Sequence, residues 1–134
     1  MTLAHAELQT LVWSADITRS EAFYSGVLDL PLVGQSHGAL VYRVGAGTLR
    51  ISPVAATSPS EHTVFGFAVE ELEDVVRGLA RRGVEFERFP GFTHSQNGVW
   101  TAPDATKVAW IRDPDGNLIS IVAYADHTSS TSRP

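Results

Sequence analysis

Three tryptophans and one arginine carry the most suggestive chemistry of this chain. Trp13, Trp100 and Trp110, with Phe92 and Tyr42, supply ring faces on which a flat conjugated ligand can stack. Such aromatic pairs are worth on the order of 0.5–1.5 kcal/mol beyond simple burial. Arg50 offers planar donors that match a carboxylate, phenolate or quinone oxygen. Gln9, Ser52 and Ser120 are polar groups able to fix a ligand's orientation, and Gly66 leaves room beside the rings.

Covalent chemistry finds less support. Cysteine is absent, which removes thiolate and disulfide chemistry. No Gly-x-Ser-x-Gly elbow presents Ser52 or Ser120 as a nucleophile. Gly45-Ala46-Gly47 leads into a strand, so it reads as a hairpin turn and not a phosphate loop. His37 and His94 lie in turn or loop sequence, and no two histidines have helical metal spacing. Asp113 and Asp115 flank Pro114 ahead of Gly116, which is turn chemistry before it is a catalytic pair. We therefore expect no catalytic residue, no metal and no cofactor.

The elements that would position these groups follow from periodicity. Residues 8–13 read as a strand, followed by a helix capped by Ser14 or Asp16, with Ile17, Ser20, Tyr24, Val27 and Leu28 on one face. Pro31 stops it, and 32–33, 39–44 and 48–52 read as strands. A Pro- and Ser-rich linker spans 53–61. The order then repeats: a strand over 63–69, a helix from Glu70-Glu71 with Leu72, Val75, Val76, Leu79 and Ala80 as its stripe, and a stop at Gly83. Strands are expected at 84–88, 106–112 and 118–124, with a long connection over 89–105.

Strand alternation sorts the faces. Gln9, Leu11 and Trp13 share one side. Thr48, Arg50 and Ser52 oppose Leu49 and Ile51. Val64, Gly66 and Ala68 fall together. Val108, Trp110 and Arg112 oppose Ala109 and Ile111; Leu118, Ser120 and Val122 oppose Ile119 and Ile121.

Composition narrows the partners. With 134 residues, 43% hydrophobic, the chain can build one domain with a core. Fifteen acidic against ten basic residues, and no basic stripe, argue against nucleic acid or an anionic membrane. No apolar run reaches spanning length, the first residues lack a signal-peptide pattern, and a cytoplasmic location is expected. The polar residues 126–134 read as a disordered tail.

The Asp113-Pro114-Asp115-Gly116 turn and the strand after it resemble the closing hairpin of the vicinal-oxygen-chelate superfamily, the glyoxalase, bleomycin-resistance and extradiol-dioxygenase group. Ser14-Ala15-Asp16-Ile17 leading to Ala22-Phe23-Tyr24, the run Val27–Leu32, and Gly98-Val99-Trp100-Thr101-Ala102-Pro103-Asp104 also fit it. The resemblance implies an α+β fold: two βαβββ modules, about 7–53 and 62–124 within a domain 1–125, forming a curved mixed sheet around a concave cavity with helices outside. Aligned on Asp16, the family's metal positions fall on Gln9, near Arg50, near Val64, and on Ser120 in place of a glutamate. Valine and serine are poor ligands and arginine repels a cation. His5, Glu7 and His62 could form a displaced set, but exposed residues at strand starts account for them more simply.

These readings point to a metal-free homodimer of the bleomycin-resistance type that sequesters a planar aromatic antibiotic or metabolite, with Gln9, Trp13, Tyr42, Arg50, Ser52, Gly66, Phe92, Trp100, Trp110, Arg112 and Ser120 at its binding surface. The alternatives are a glyoxalase-like lyase, isomerase or transferase with a displaced or absent metal, and a structural module whose cavity has collapsed.

Overall fold

The computed structural model describes residues 2–125. The expected tail, 126–134, lies outside the described residues. Two compact units appear: residues 2–60 with 113–117, and residues 61–112 with 118–125.

In the first unit, β1 (Gln9–Ser14), β2 (Leu32–Ser36), β3 (Ala39–Val44) and β4 (Gly47–Pro53) form a mixed sheet in the order β1-β4-β3-β2. β1 runs parallel to β4, while β2, β3 and β4 are antiparallel neighbours. A parallel pair needs a crossover, and the helical segment after β1 begins it. Helix α1 (Ile17–Glu21) is capped by Asp16, whose carboxylate accepts the Arg19 N–H. It then widens into a π-helix over Ala22–Val27, so the single helix expected from periodicity is two coil types in series. Ser20 and Tyr24 are fully buried, as the expected stripe requires.

The second unit repeats the plan. Strands β5 (Thr63–Ala68), β6 (Trp100–Thr101), β7 (Lys107–Arg112) and β8 (Leu118–Ala123) order as β5-β8-β7-β6, with β5 parallel to β8. Helix α2 (Leu72–Arg81) buries Leu72, Val76 and Leu79 and lies against β7 and β8. Each unit thus holds a four-stranded mixed sheet with a βαβββ order, which makes the fold α+β.

One expected strand is absent. Residues 84–88 form no ladder; they give β7 a single backbone bond, Glu87 N–H to Trp110 O at 2.8 Å. The strand pairing with β7 is instead 100–101, inside the stretch read as a connection. The physical reason lies in the edge of β7. One short segment meets it near Trp110 and another near Val108, and the chain between them leaves the sheet.

Alternation holds in most other strands, with one correction on β8: Leu118, expected on the side of Ser120 and Val122, is buried like its neighbour Ile119. Leu49, Ile51, Ala109, Ile111, Ile119 and Ile121 are core, while Thr48, Arg50, Ser52, Val108, Trp110, Arg112, Ser120 and Val122 are only half-buried on the other faces.

Candidate functional site

On the first unit's sheet, Leu11 and Trp13 face away from the core and are 58% and 65% exposed. Their register partners on β4 are Arg50 and Ser52, and Gln9 lies opposite Thr48. In-register strand neighbours present side chains on one face, so indole, leucine, guanidinium and hydroxyl adjoin. The guanidinium is oriented by Ser36: Arg50 Nη1 donates to Ser36 Oγ at 2.9 Å and Nη2 to Ser36 O at 3.0 Å. No carboxylate among the described residues pairs with Arg50. Glu7 is engaged elsewhere, accepting from Thr48 Oγ1 at 3.1 Å and lying 3.7 Å from Arg43. Three of the five guanidinium N–H donors therefore remain for solvent or a ligand.

Tyr42 does not join this surface. It is 0% exposed, opposite Leu49 on β3, and its hydroxyl lies 2.8 Å from Ser25 Oγ. Burial pushes its hydroxyl pKa up, against the Ser25 bond. The expected place at the binding surface is thereby corrected: Tyr42 shares its parity with Leu40, opposite the exposed Arg43, and the core face claims it.

The second unit gathers the remaining aromatic residues. Gly66, Ser120 and Trp110 form one row across β5, β8 and β7. Ala68, Val122, Val108 and Trp100 form the next. The small residues make a low floor and the two indoles a wall, their ring centres 6.2 Å apart. Gly66 belongs there for space: a Cβ would collide with Ser120 Oγ and stand 3.0 Å from Ser120 O.

The connection after residue 88 folds over this wall. Phe89 meets Trp110 edge-on at 5.1 Å, and Phe92 lies parallel to Trp110 at 5.9 Å and 4.6 Å from Trp100. His94 pins the connection: the Phe89 N–H donates to Nε2 at 3.1 Å, so the ring proton sits on Nδ1 and bonds Gly98 O at 2.8 Å. Both nitrogens are used, and His94 offers no free lone pair to a metal. Arg112, beside Trp110 on β7, pairs with Glu87 at 3.1 Å.

A polar hub that sequence reasoning read only as a turn sits at residues 113–117. Asp113, 5% exposed, accepts four hydrogen bonds: Tyr24 O–H at 2.7 Å, Asn117 Nδ2 at 2.8 Å, and the Asp115 and Asn117 N–H groups. Asp115 accepts from Ala15 N–H at 2.8 Å and from Thr57 O–H at 2.6 Å. Gly116 has φ +85°, and a Cβ there would lie 2.9 Å from Pro59 Cα. Burial, then the Asp113 charge and hydrogen bond, hold the Tyr24 hydroxyl far above its ordinary pKa. Burial also pushes the Asp115 carboxyl up, but the Ala15 N–H and the Thr57, Ser14 and Ser20 hydroxyls outweigh it, leaving the pKa below the usual carboxylate value. These acids are spent on structure. The signal for that role was the turn itself; the capture of Tyr24, 89 positions away, was not legible.

Among the described residues no three His, Cys, Asp or Glu side chains come close enough to hold a metal ion. His5 sits in a short 3-10 turn (Leu3–His5) and is exposed, as are Glu7 and His62. Among the described residues no helix is long and apolar enough to cross a membrane.

A family model described as the Glyoxalase/Bleomycin resistance protein/Dioxygenase superfamily matches residues 2–121. Similar solved structures include a lactoylglutathione lyase from Agrobacterium tumefaciens, at 18% identity and a TM-score of 0.69, covering 89% of this chain and 93% of that one. A glyoxalase family protein from Bacillus anthracis shows 15% identity and a TM-score of 0.72, covering 92% and 98%. A glyoxalase/bleomycin resistance protein/dioxygenase from Nocardioides shows 16% identity and a TM-score of 0.69, covering 94% and 87%. At such identities the likeness concerns the fold. No curated protein matches the sequence.

Proposed function

The chain belongs to the Glyoxalase/Bleomycin resistance protein/Dioxygenase superfamily, and from that premise we propose that it is a metal-free binding protein that captures a planar aromatic antibiotic or metabolite and breaks no bond in it. The observation that carries this reading is the indole wall of Trp100 and Trp110 beside a floor of Gly66, Ala68, Ser120 and Val122. A half-solvated sheet needs no such wall, whereas a stacking surface does. On the first unit's sheet, Arg50, which has no acidic partner among the described residues, beside exposed Trp13, supports recognition of an acidic oxygen, with Gln9 and Ser52 as orienting groups. Arg112, tied to Glu87, contributes charge balance near Trp110.

Capture acts by mass action: with protein in excess at about 100 times Kd, free ligand falls roughly a hundredfold. The proposal includes a cytoplasmic homodimer, since pairing hides sheet edges that otherwise invite aggregation; light scattering after size exclusion tests the assembly.

The decisive experiment is tryptophan fluorescence titrated with planar aromatic carboxylates and antibiotics. Saturable quenching without turnover of the compound supports capture. Emission that no member of the panel moves would remove it. Metal content of the purified protein separates the enzymatic reading: one divalent ion per chain, lost in chelator together with an activity, would replace capture by metal-dependent catalysis.

A further inference from the structure

Phe92 stands in the place a ligand would take. Its ring is parallel to Trp110 within 5° and also contacts Trp100, so it covers the indole wall just described. It meets four rings in all, Phe89 and His94 as well as the two indoles, and still is 43% exposed. The backbone behind it is well fixed. Phe92 N–H bonds Phe89 O at 3.2 Å, closing a turn with Pro90 and Gly91 at its centre, and Gly91 has the positive φ (+89°) that a type II turn needs. His94, two residues on, is held by both ring nitrogens and by a bridge to Trp100. Expulsion of the ring by side-chain rotation would leave these backbone bonds in place. Exposed rotamers exchange in picoseconds to nanoseconds, so the displacement would not limit binding.

Resting on the capture function proposed above, we infer that Phe92 is a built-in competitor: its ring occupies the stacking surface of Trp100 and Trp110 in the free protein and is expelled when a planar aromatic ligand binds. A site covered in most molecules binds with an apparent Kd raised by the inverse of the open fraction. If the ring covers the wall about nine-tenths of the time, removing it tightens binding about tenfold. A ring that served instead as part of the platform would have the opposite effect when removed.

The test uses 2-naphthoate as probe, with the full chain and Phe92→Ala, followed by tryptophan fluorescence. Tighter binding by about tenfold in Phe92→Ala supports the competitor role, as does binding detected only in that variant. Equal or weaker binding in a folded Phe92→Ala overturns the role while leaving capture intact. Should that variant fail to fold, the wild-type protein answers by NMR. The Phe92 ring protons, shielded by the indole currents in the free protein, return to values of an exposed phenylalanine at saturating 2-naphthoate. Ring protons that stay shielded at saturation overturn the competitor role. If neither protein binds 2-naphthoate or any other planar probe, the capture function itself fails, and the competitor with it.

Discussion

Replacing Arg50 by methionine separates recognition from stability. In the free protein the guanidinium makes two hydrogen bonds, both to Ser36 and both in exposed surroundings. Two such bonds are nominally worth about 1–3 kcal/mol together. Water replaces exposed partners, and the methionine stem still covers neighbouring apolar surface, so the stability loss should be about 1 kcal/mol or less. If Arg50 meets an acidic oxygen through two charge-assisted bonds, the binding loss should reach about 3 kcal/mol, roughly a hundredfold in Kd. The assay pairs urea unfolding with titrations of 2-naphthoate and its uncharged amide. Arg50→Met should weaken the acid strongly and the amide little. Arg50→Lys should recover part of the loss, since it restores charge without the planar fork. Equal affinity of Arg50→Met for the acid, or parallel losses for acid and amide, would refute anion recognition at this residue.

Other perturbations probe the scaffold. Asp113→Ala removes the acceptor of four bonds and strands the buried Tyr24 hydroxyl; it should cost about 3–5 kcal/mol in urea unfolding. Tyr24→Phe, which keeps three of those bonds, should cost about 1–2 kcal/mol. Because Asp115 titrates below the usual carboxylate value when folded, its stabilisation is complete above the unfolded pKa near 3.9 and is lost as pH falls through the folded one. Asp115→Asn should therefore flatten the decline of stability between about pH 5 and pH 2, and an unchanged slope would discredit that assignment. Tyr24 is shifted the other way: stability present below about pH 10 should fall at higher pH as the unfolded tyrosine ionises, and Tyr24→Phe should blunt the fall. Gly66→Ala, whose methyl collides with Ser120 Oγ, should cost about 1–3 kcal/mol and weaken 2-naphthoate binding; undiminished affinity would show that the floor is not used.

Much of the architecture was legible because a strand's side chains alternate with period two and a core accepts only one parity. Leu49 and Ile51 against Thr48, Arg50 and Ser52 left little choice, and neither did Ala109 and Ile111 against Val108, Trp110 and Arg112. Tyr42 was placed at the binding surface without that sorting; Arg43 marks the opposite parity as the solvent side, and pairing with Leu49 puts Tyr42 in the core. Val84 and Phe86 gave 84–88 a strand's alternation, but pattern does not reveal whether a neighbouring edge is free along its length. That edge is divided between Glu87 and Trp100.

The candidate site divides in the same way. The sequence alone determined which residues could stack and donate, because ring and guanidinium chemistry are properties of the side chain. It also placed Asp113-Pro114-Asp115-Gly116 in a turn, since Pro and Gly act on their own backbone. Only tertiary structure decided that Asp113 receives Tyr24, that Ser36 steers Arg50, and that Phe92 folds back onto Trp110. Each of these unites residues distant along the chain, and the energy of such a contact depends on loop geometry and competing partners that no local pattern encodes.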